Sequence, residues 1–218
     1  MVLYQRWQCA IRNGIGLLND LENPRKGTYV TVDESRIFDS ELKFRPIRPK
    51  HIQLIRSWRN SALPVLRQNS VVTAVEQRRY FETSVWPQNI MKIPSQVLYL
   101  LEFEGEVVGY GGIVHISWTD LRGEVSFLLR PELEQDSSSK AEIFKRFAVI
   151  VAKLAFNELH LEKLSSETFM NREEHIAIME DNMFIREGHL RGHVLQNGVR
   201  VDSILHGLFP DDKRHSGQ

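Results

Sequence analysis

The chain of 218 residues contains a single cysteine, Cys9, which excludes an internal disulfide. Basic and acidic residues number 28 each, so the excess of one sign that is typical of nucleic-acid and membrane-surface proteins is absent. No apolar run approaches the roughly 18–20 residues that span a bilayer, and the first residues lack the order of a secretory signal. No cysteine and histidine spacing resembles a zinc module. We therefore expect a soluble cytoplasmic protein without a metal, a nucleic-acid partner or a membrane partner.

A chain of this length can bury one sizeable core, so a single domain with additions is the expected organisation. Residues 1–40 predict an N-terminal extension that is either helical or poorly ordered, because two glycines interrupt its apolar spacing. Residues 41–209 carry the regular patterns of a folded domain. Residues 210–218 predict a disordered tail.

Within the patterned region, apolar periodicity predicts a strand, two helices, three antiparallel strands, a helix, a strand, a helix and two strands. Thr73 followed by Glu76 predicts a capping box at the start of the second helix. Asn197-Gly198 is the strongest short-range hairpin signal. The predicted class is α+β, with a mixed, mostly antiparallel sheet of about seven strands flanked by helices.

Several stretches resemble one known superfamily. Val107-Val-Gly-Tyr-Gly-Gly followed by Glu124-Val-Ser-Phe-Leu-Leu-Arg-Pro131 resembles the third and fourth strands of GNAT acetyltransferases. Asn171 and the two stretches Glu187-Gly-His-Leu-Arg191 and Asn197-Gly-Val-Arg-Val-Asp202 resemble the branch that acetylates ribosomal-protein N-termini. Trp58-Arg59-Asn60 resembles acetyltransferases that act on nucleotide-linked amino sugars. With the order of elements, these stretches identify residues 41–209 as a GNAT domain.

The resemblance implies a fold, a reaction and a co-substrate. Its fold has two central parallel strands that splay apart, and its reaction is acyl-CoA-dependent N-acetyl transfer with acetyl-CoA as co-substrate. The backbone of Phe127, Leu128 and Leu129 would pair with the pantetheine arm like an added strand. Asn171 would either hydrogen-bond that arm or cap its own helix.

The sequence departs from the family pattern at the loop that binds the coenzyme A diphosphate. The usual motif, Q/R-x-x-G-x-G/A, is replaced by Gln135-Asp-Ser-Ser-Ser-Lys-Ala141, which has no glycine and carries a repelling Asp136. We expect binding to persist, because Ser137, Ser138, Ser139 and Lys140 precede or begin a helix whose free N–H groups attract phosphate.

Two further departures concern the helix that follows Asn171. The family's Gly-Phe pair is replaced by Asn182-Met183-Phe184, which predicts Asn182 in the left-handed conformation at the helix end. The family often uses a tyrosine on this helix to protonate the departing thiolate. None lies between Asn171 and Phe184, so that role is unassigned.

Acetyl transfer to an amine needs a neutral nucleophile, which a general base can provide. Pairing Trp118 with Gly123 would place His115, Ser117, Glu124 and Ser126 together on a polar face, opposite an apolar face that contains Val114 and Phe127. We predict Glu124 as the base, directly or through water, and His115 as proton relay or substrate contact. The alternatives are a solvated Glu124 paired with Arg122, and a His115 that is merely an exposed or hydrogen-bonded strand residue.

The predicted acceptor is a small amine, with a nucleotide-linked amino sugar slightly favoured over a protein N-terminus. Candidate substrate-binding side chains are Trp58, Arg59, Asn60, Arg67, His193 and Asp202. Arginine forks match phosphate, and His193 is predicted directly across from Asp202 on the last hairpin. The polar face of this hairpin is either a solvated surface, a rim that binds an anionic substrate or, least favoured, a metal site. A non-catalytic GNAT-like binding module is the alternative from another class, and a homodimer is possible.

Overall fold

The computed structural model describes residues 28–37, 39–66, 68 and 70–212. Most of the predicted N-terminal extension (residues 1–27) and most of the predicted tail (residues 213–218) lie outside this part of the chain. Among the described residues, no helix has the length and apolar character required to cross a membrane.

The described part of the chain contains seven strands and several helices, which follow one another in the predicted order. The strands are β1 (Leu42–Arg45), β2 (Val97–Phe103), β3 (Glu106–Ser117), β4 (Arg122–Leu129), β5 (Lys163–Phe169), β6 (Ile185–Gln196) and β7 (Val199–Leu208). The α-helices are α1 (Ile52–Ser61), α2 (Ala74–Tyr80), α3 (Pro131–Glu134), α4 (Ser137–Ala152) and α5 (Glu173–Asp181). A π-helical turn at Lys153–Glu158 extends α4, which accounts for the longer helix that the sequence predicts.

The strands form one sheet in the order β1-β2-β3-β4-β5-β7-β6. Among the described strands, only the β4–β5 pair is parallel, and every other pair is antiparallel. The parallel ladder contains three residue pairs and ends at Glu124 opposite Ser165. Both strands continue for several residues beyond that point, so they diverge. The α+β class, the seven-stranded mixed sheet and the splayed central strands are therefore confirmed.

Each face of the sheet has its own apolar cluster. On one face, Phe144 and Phe147 of α4 pack with Tyr99 and Phe127. On the other face, α1 and the segment after α2 pack Ile55 and Phe81 against neighbouring strands. Burial on both faces of the central strands explains why their sequences are nearly continuously apolar.

Gly111 is required where α4 meets the sheet. A Cβ atom built at this position would lie 3.1 Å from the ring of Phe147 and would overlap the backbone oxygen of Ser126. A larger residue would therefore separate either β3 from β4 or the sheet from its main helix.

The packed core includes residues before the predicted domain boundary at residue 41. Tyr29 and Ile37 are each only 3% exposed. The Tyr29 hydroxyl accepts a hydrogen bond from the backbone N–H of Leu98 at 2.9 Å, and its ring packs edge-on against Tyr99. At least residues 29–37 are therefore part of the folded unit.

Of two predictions about helix ends, one is confirmed and one was wrong. The capping box is present: Thr73 accepts a hydrogen bond from the Glu76 N–H, and the Glu76 carboxylate accepts one from the Thr73 N–H. The prediction for the end of α5 was wrong. Asn182 has φ −117°, and Met183 takes the left-handed conformation with φ 74°. Met183 also packs on the core, which offsets the strain of a side chain in that region.

Candidate active site

The divergence of β4 and β5 opens a cavity of about 180 Å³. Strand β4 supplies Glu124 through Phe127, and β5 supplies Ser166 through Phe169. The other walls come from β3, α4, α5 and the segment after α1. They contribute Val65, Leu66, Val114, His115, Phe144, Arg172, His175 and Met179.

His115 and Glu124 meet at the edge of this cavity. The His115 Nδ1 lies 2.8 Å from the Glu124 carboxylate, and their side chains are 71% and 28% exposed. Both residues therefore remain accessible to an incoming amine. The carboxylate and imidazole can together accept and pass on a proton.

This pair arises from a register that differs from the predicted one. Val114, not Ser117, lies opposite Glu124, and a bulge precedes the Ser117–Arg122 pair. The predicted pairing of Trp118 with Gly123 was wrong, and so was the prediction that Val114 and Phe127 share a face. His115 lies in the bulge with φ 50°, which re-aims its side chain toward Glu124. His115 and Glu124 nevertheless lie together, because the bulge compensates for the error in the predicted register.

The cavity has two chemically different sides. Glu124 shares a sheet face with its partner Val114, which packs on the α1 cluster. Phe127 points to the opposite face and packs on Phe144 and Phe147 of α4. His175 of α5 lies on that second side, with its ring stacked on Phe127 at 6.4 Å between centroids.

Sequence reasoning did not identify His175. Its side chain is 7% exposed, and its Nδ1 has no hydrogen-bond partner among the described residues. Burial, followed by the positive charges of Arg172, Lys140 and His206, holds its pKa well below the ordinary value. The imidazole is therefore neutral at physiological pH. The signal in the sequence was its place beside Met179 on the apolar face of the helix.

Glu167 is the second acidic group of the cavity, and sequence reasoning missed it as well. Its side chain is 11% exposed, and one carboxylate oxygen lies 3.7 Å from the His193 Nε2. It follows Ser166 and precedes Thr168, which also line the cavity. Strand alternation alone gave no reason to separate Glu167 from the other surface carboxylates.

The unpaired edge of β4 suits the arm of coenzyme A. Phe127, Leu128 and Leu129 pair with β3 on one side, and the β4–β5 ladder contains no pair at these residues on the other. An extended ligand can therefore use the free backbone groups of this edge. This geometry is compatible with the pantetheine arm, and the role of the three residues stays a prediction.

The place where we expect the coenzyme A diphosphate to bind is occupied by charged side chains of the protein. Asp136 is the N-cap of α4: its carboxylate accepts hydrogen bonds from the Ser139 N–H at 3.2 Å and the Ser139 hydroxyl at 2.8 Å. These bonds hold the pKa of Asp136 below its ordinary value. A carboxylate therefore lies where the resemblance places the diphosphate, and it opposes a second anion there.

Lys140 also forms ion pairs within the protein. It is 4% exposed, and its Nζ lies 2.8 Å from Glu134 and 3.4 Å from Glu174. Glu134 in turn contacts Arg172 at 2.9 Å. A diphosphate can reach either cation only by displacing a carboxylate. Ser137 and Ser138 are exposed and stay candidates for phosphate contact.

Asn171 neither caps α5 nor lines the cavity. Arg172 is the N-cap, and the Asn171 amide donates to the Gln196 side chain at 3.0 Å. The capping alternative was therefore wrong, and a contact with the pantetheine arm stays a prediction.

The first-helix residues that suggested an amino-sugar nucleotide have structural contacts. Trp58 is 6% exposed. The Asn60 side chain bonds both the N–H and the carbonyl of Val72. Arg59 lies over the Tyr80 ring at 5.5 Å and donates to Gln77. None of the three lines the cavity, and Arg67 lies outside the described residues.

The last hairpin also differs from its predicted geometry. Asn197 and Gly198 form the turn, with φ 49° and 80°, and Gln196 lies opposite Val199 as predicted. A register shift between Leu190 and Val194 then breaks the predicted juxtaposition of His193 and Asp202. Asp202 instead contacts His189 at 2.6 Å and accepts from the Gly192 N–H at 2.7 Å. Neither His193 nor Asp202 lines the cavity, and within the described residues no cluster could hold a metal ion.

Residues 44–205 match the model of the acetyltransferase (GNAT) domain. The fold is similar to that of spermidine N-acetyltransferase from Vibrio cholerae in complex with CoA and spermine, with 15% identity and a TM-score of 0.67 over 78% of this chain and 96% of that one.

Two related structures give the same result. A chimera of the Vibrio cholerae enzyme with hSSAT is 16% identical, with a TM-score of 0.66 and coverage of 78% and 96%. The dodecameric Vibrio cholerae enzyme in an intermediate state is 16% identical, with a TM-score of 0.63 and coverage of 78% and 95%. At these identities the likeness shows the fold.

Proposed function

The chain belongs to the GNAT acetyltransferase family, whose members are acyl-CoA-dependent N-acetyltransferases, and on that premise we propose that its acceptor is a small cationic amine. The observation that carries the proposal is the pair of carboxylates, Glu124 and Glu167, in one cavity between β4 and β5. A polyamine offers one nitrogen for acetylation and further positive charges for these groups.

Glu124 acts as the base in this proposal, and His115 relays the proton to solvent. An alkylamine has a pKa of about 10.4 and is almost fully protonated at neutral pH, so it must lose a proton before it attacks. Glu124 lies close enough to His115, at 2.8 Å, for a proton to move between them. In this proposal the Glu167 carboxylate orients a second ammonium group of the acceptor.

Charge is the reason to replace the amino-sugar nucleotide as the favoured acceptor. Arg59 contacts Tyr80 and Gln77, and Arg172 contacts Glu134. Two carboxylates in the cavity would repel a diphosphate and attract an ammonium group. The Vibrio cholerae neighbour, whose structure holds spermine, supports a polyamine as the first compound to test.

The test is the rate of coenzyme A release with spermidine, a UDP-linked amino sugar and a short peptide with a free N-terminus. We expect kcat/KM to be highest for spermidine and to fall with increasing ionic strength. Glu167→Gln should raise KM for spermidine but should leave KM for a monoamine nearly unchanged. A higher kcat/KM for the sugar nucleotide or the peptide would contradict the proposal.

Self-association remains a proposal as well. Strand β6 is an edge of the sheet, and the hairpin tip exposes Leu195 and Val199 at 62% and 64%. Exposed edges of this kind favour strand pairing between copies. Light scattering after size-exclusion chromatography tests the predicted homodimer. A strict monomer at high concentration would exclude it.

A further inference from the structure

The cavity contains a buried polar atom that the acceptor chemistry does not use. The Nδ1 of His175 makes no hydrogen bond with any described residue, although the side chain is only 7% exposed and lines the cavity. Native proteins pair the large majority of their buried polar side-chain atoms with a hydrogen-bond partner. A ligand in the cavity would supply the missing partner.

The position of His175 limits what that partner can be. Glu124 lies on the α1 side of the sheet with Val114, whereas His175 packs on Phe127 and Phe144 on the α4 side. An amine that is deprotonated by Glu124 approaches the thioester carbon from the Glu124 side. In the tetrahedral intermediate the carbon–sulfur bond is inclined away from the face that the amine attacks, so the sulfur can lie on the side of the cavity where His175 packs against Phe127.

We propose that His175 is a catalytic residue that donates a hydrogen bond to the sulfur of the departing coenzyme A thiolate. This inference rests on the proposed function, because it takes Glu124 as the group that receives the amine. The amine nitrogen forms a bond to the carbonyl carbon, and its excess proton passes to Glu124. The carbon–sulfur bond then breaks with its electron pair on sulfur. His175 keeps its proton throughout, and solvent later protonates the thiolate.

The surroundings of His175 suit a neutral donor. Arg172 on its own helix and Lys140 of α4 bring positive charge near the ring. A neutral imidazole still has one N–H group to donate. Because the side chain is fixed between Phe127 and Phe144, it needs little reorganisation when negative charge develops.

The test compares two donors that differ in one atom. Acetyl-CoA and its selenoester analogue have the same arm and phosphates, but a selenolate is a much better leaving group than a thiolate. His175→Leu removes every N–H group, whereas His175→Asn keeps one near the position of Nδ1. We expect His175→Leu to lower kcat with acetyl-CoA by about 10- to 100-fold and His175→Asn by much less. With the selenoester, we expect the loss in His175→Leu to be only a few-fold.

The ratio of wild-type to variant kcat with each donor, on the same amine, decides the proposal. Equal loss with both donors would mean that His175 only supports the cavity, and no loss would mean that it does not touch the sulfur; either result overturns the proposal. Thermal unfolding of both variants shows whether the fold is kept. The class of acceptor is determined separately, from the rates of the wild-type protein with different amines. An error in the proposed acceptor can therefore be distinguished from an error in the proposed role of His175.

Discussion

Acidification should destabilise the fold through His175, and the size of the effect can be worked out. Burial and nearby positive charge lower the pKa of His175 well below its ordinary value. In the unfolded chain the imidazole titrates near 6.5, so between that pH and the folded pKa only the unfolded state binds the proton. The contribution of His175 to stability is therefore complete above pH 6.5 and is lost as the pH falls through this window.

The slope is about 1.4 kcal/mol per pH unit for one histidine. Between pH 7.0 and 5.5, a histidine that stays neutral in the folded state should lower the free energy of unfolding by about 1.2 kcal/mol. Carboxylates with a lowered pKa, such as Asp39 and Glu180, change the free energy of unfolding mostly at lower pH. His206 acts in the same direction as His175, because burial also lowers its pKa.

Urea unfolding of wild type and His175→Asn at pH 7.0 and 5.5 isolates the contribution of His175, because the other groups cancel in the comparison. We expect the wild type to lose about 1.2 kcal/mol more than the variant. His160→Asn is the matched control. His160 is exposed, so this variant should follow the wild type. If His175→Asn loses as much stability as the wild type, the histidine is not held neutral and the reasoning fails.

Three further predictions concern the site and the fold. Glu124→Gln should lower kcat by about 10²-fold or more at neutral pH and shift its pH profile, as measured by coenzyme A release; an unchanged profile would exclude Glu124 as the base. Asp136→Ser keeps an N-cap but removes the charge, so KM for acetyl-CoA should fall roughly two- to fivefold while KM for S-acetylpantetheine stays constant; equal changes would remove Asp136 from the diphosphate end. His160→Gly should raise the free energy of unfolding by about 0.5–1 kcal/mol, because His160 has φ 53°; His160→Ala, which keeps a Cβ, should give no gain in urea unfolding.

Local patterns carried most of the fold prediction. The capping box at Thr73 and the turn at Asn197-Gly198 depend on residues close in sequence, and both formed as predicted. The sequence also showed that the loop before Lys140 has no glycine and carries a repelling Asp136. The structure adds that Asp136 caps α4 through Ser139 and that Lys140 pairs with Glu134.

Side-chain positions across strands could not be read in the same way. The β3–β4 register failed because the sequence gives no clear sign of the bulge at His115, and one extra residue exchanges the two faces of a strand. Three of the predicted acceptor residues lie outside the cavity for a related reason. Trp58, Arg59 and Asn60 have suitable chemistry, but packing commits them to the first helix and its neighbours.

The amino-acid sequence alone determined the order of elements and the superfamily. These features depend on periodicity, turn residues and motif spacing, which are local. Only the tertiary structure decided that Glu167 and His175 join Glu124 in one cavity and that His206 is buried. The reason is that α5 and β5 meet β4 only after the chain has closed over long separations. Contacts between residues so far apart in the sequence produce no periodic pattern from which they could be predicted.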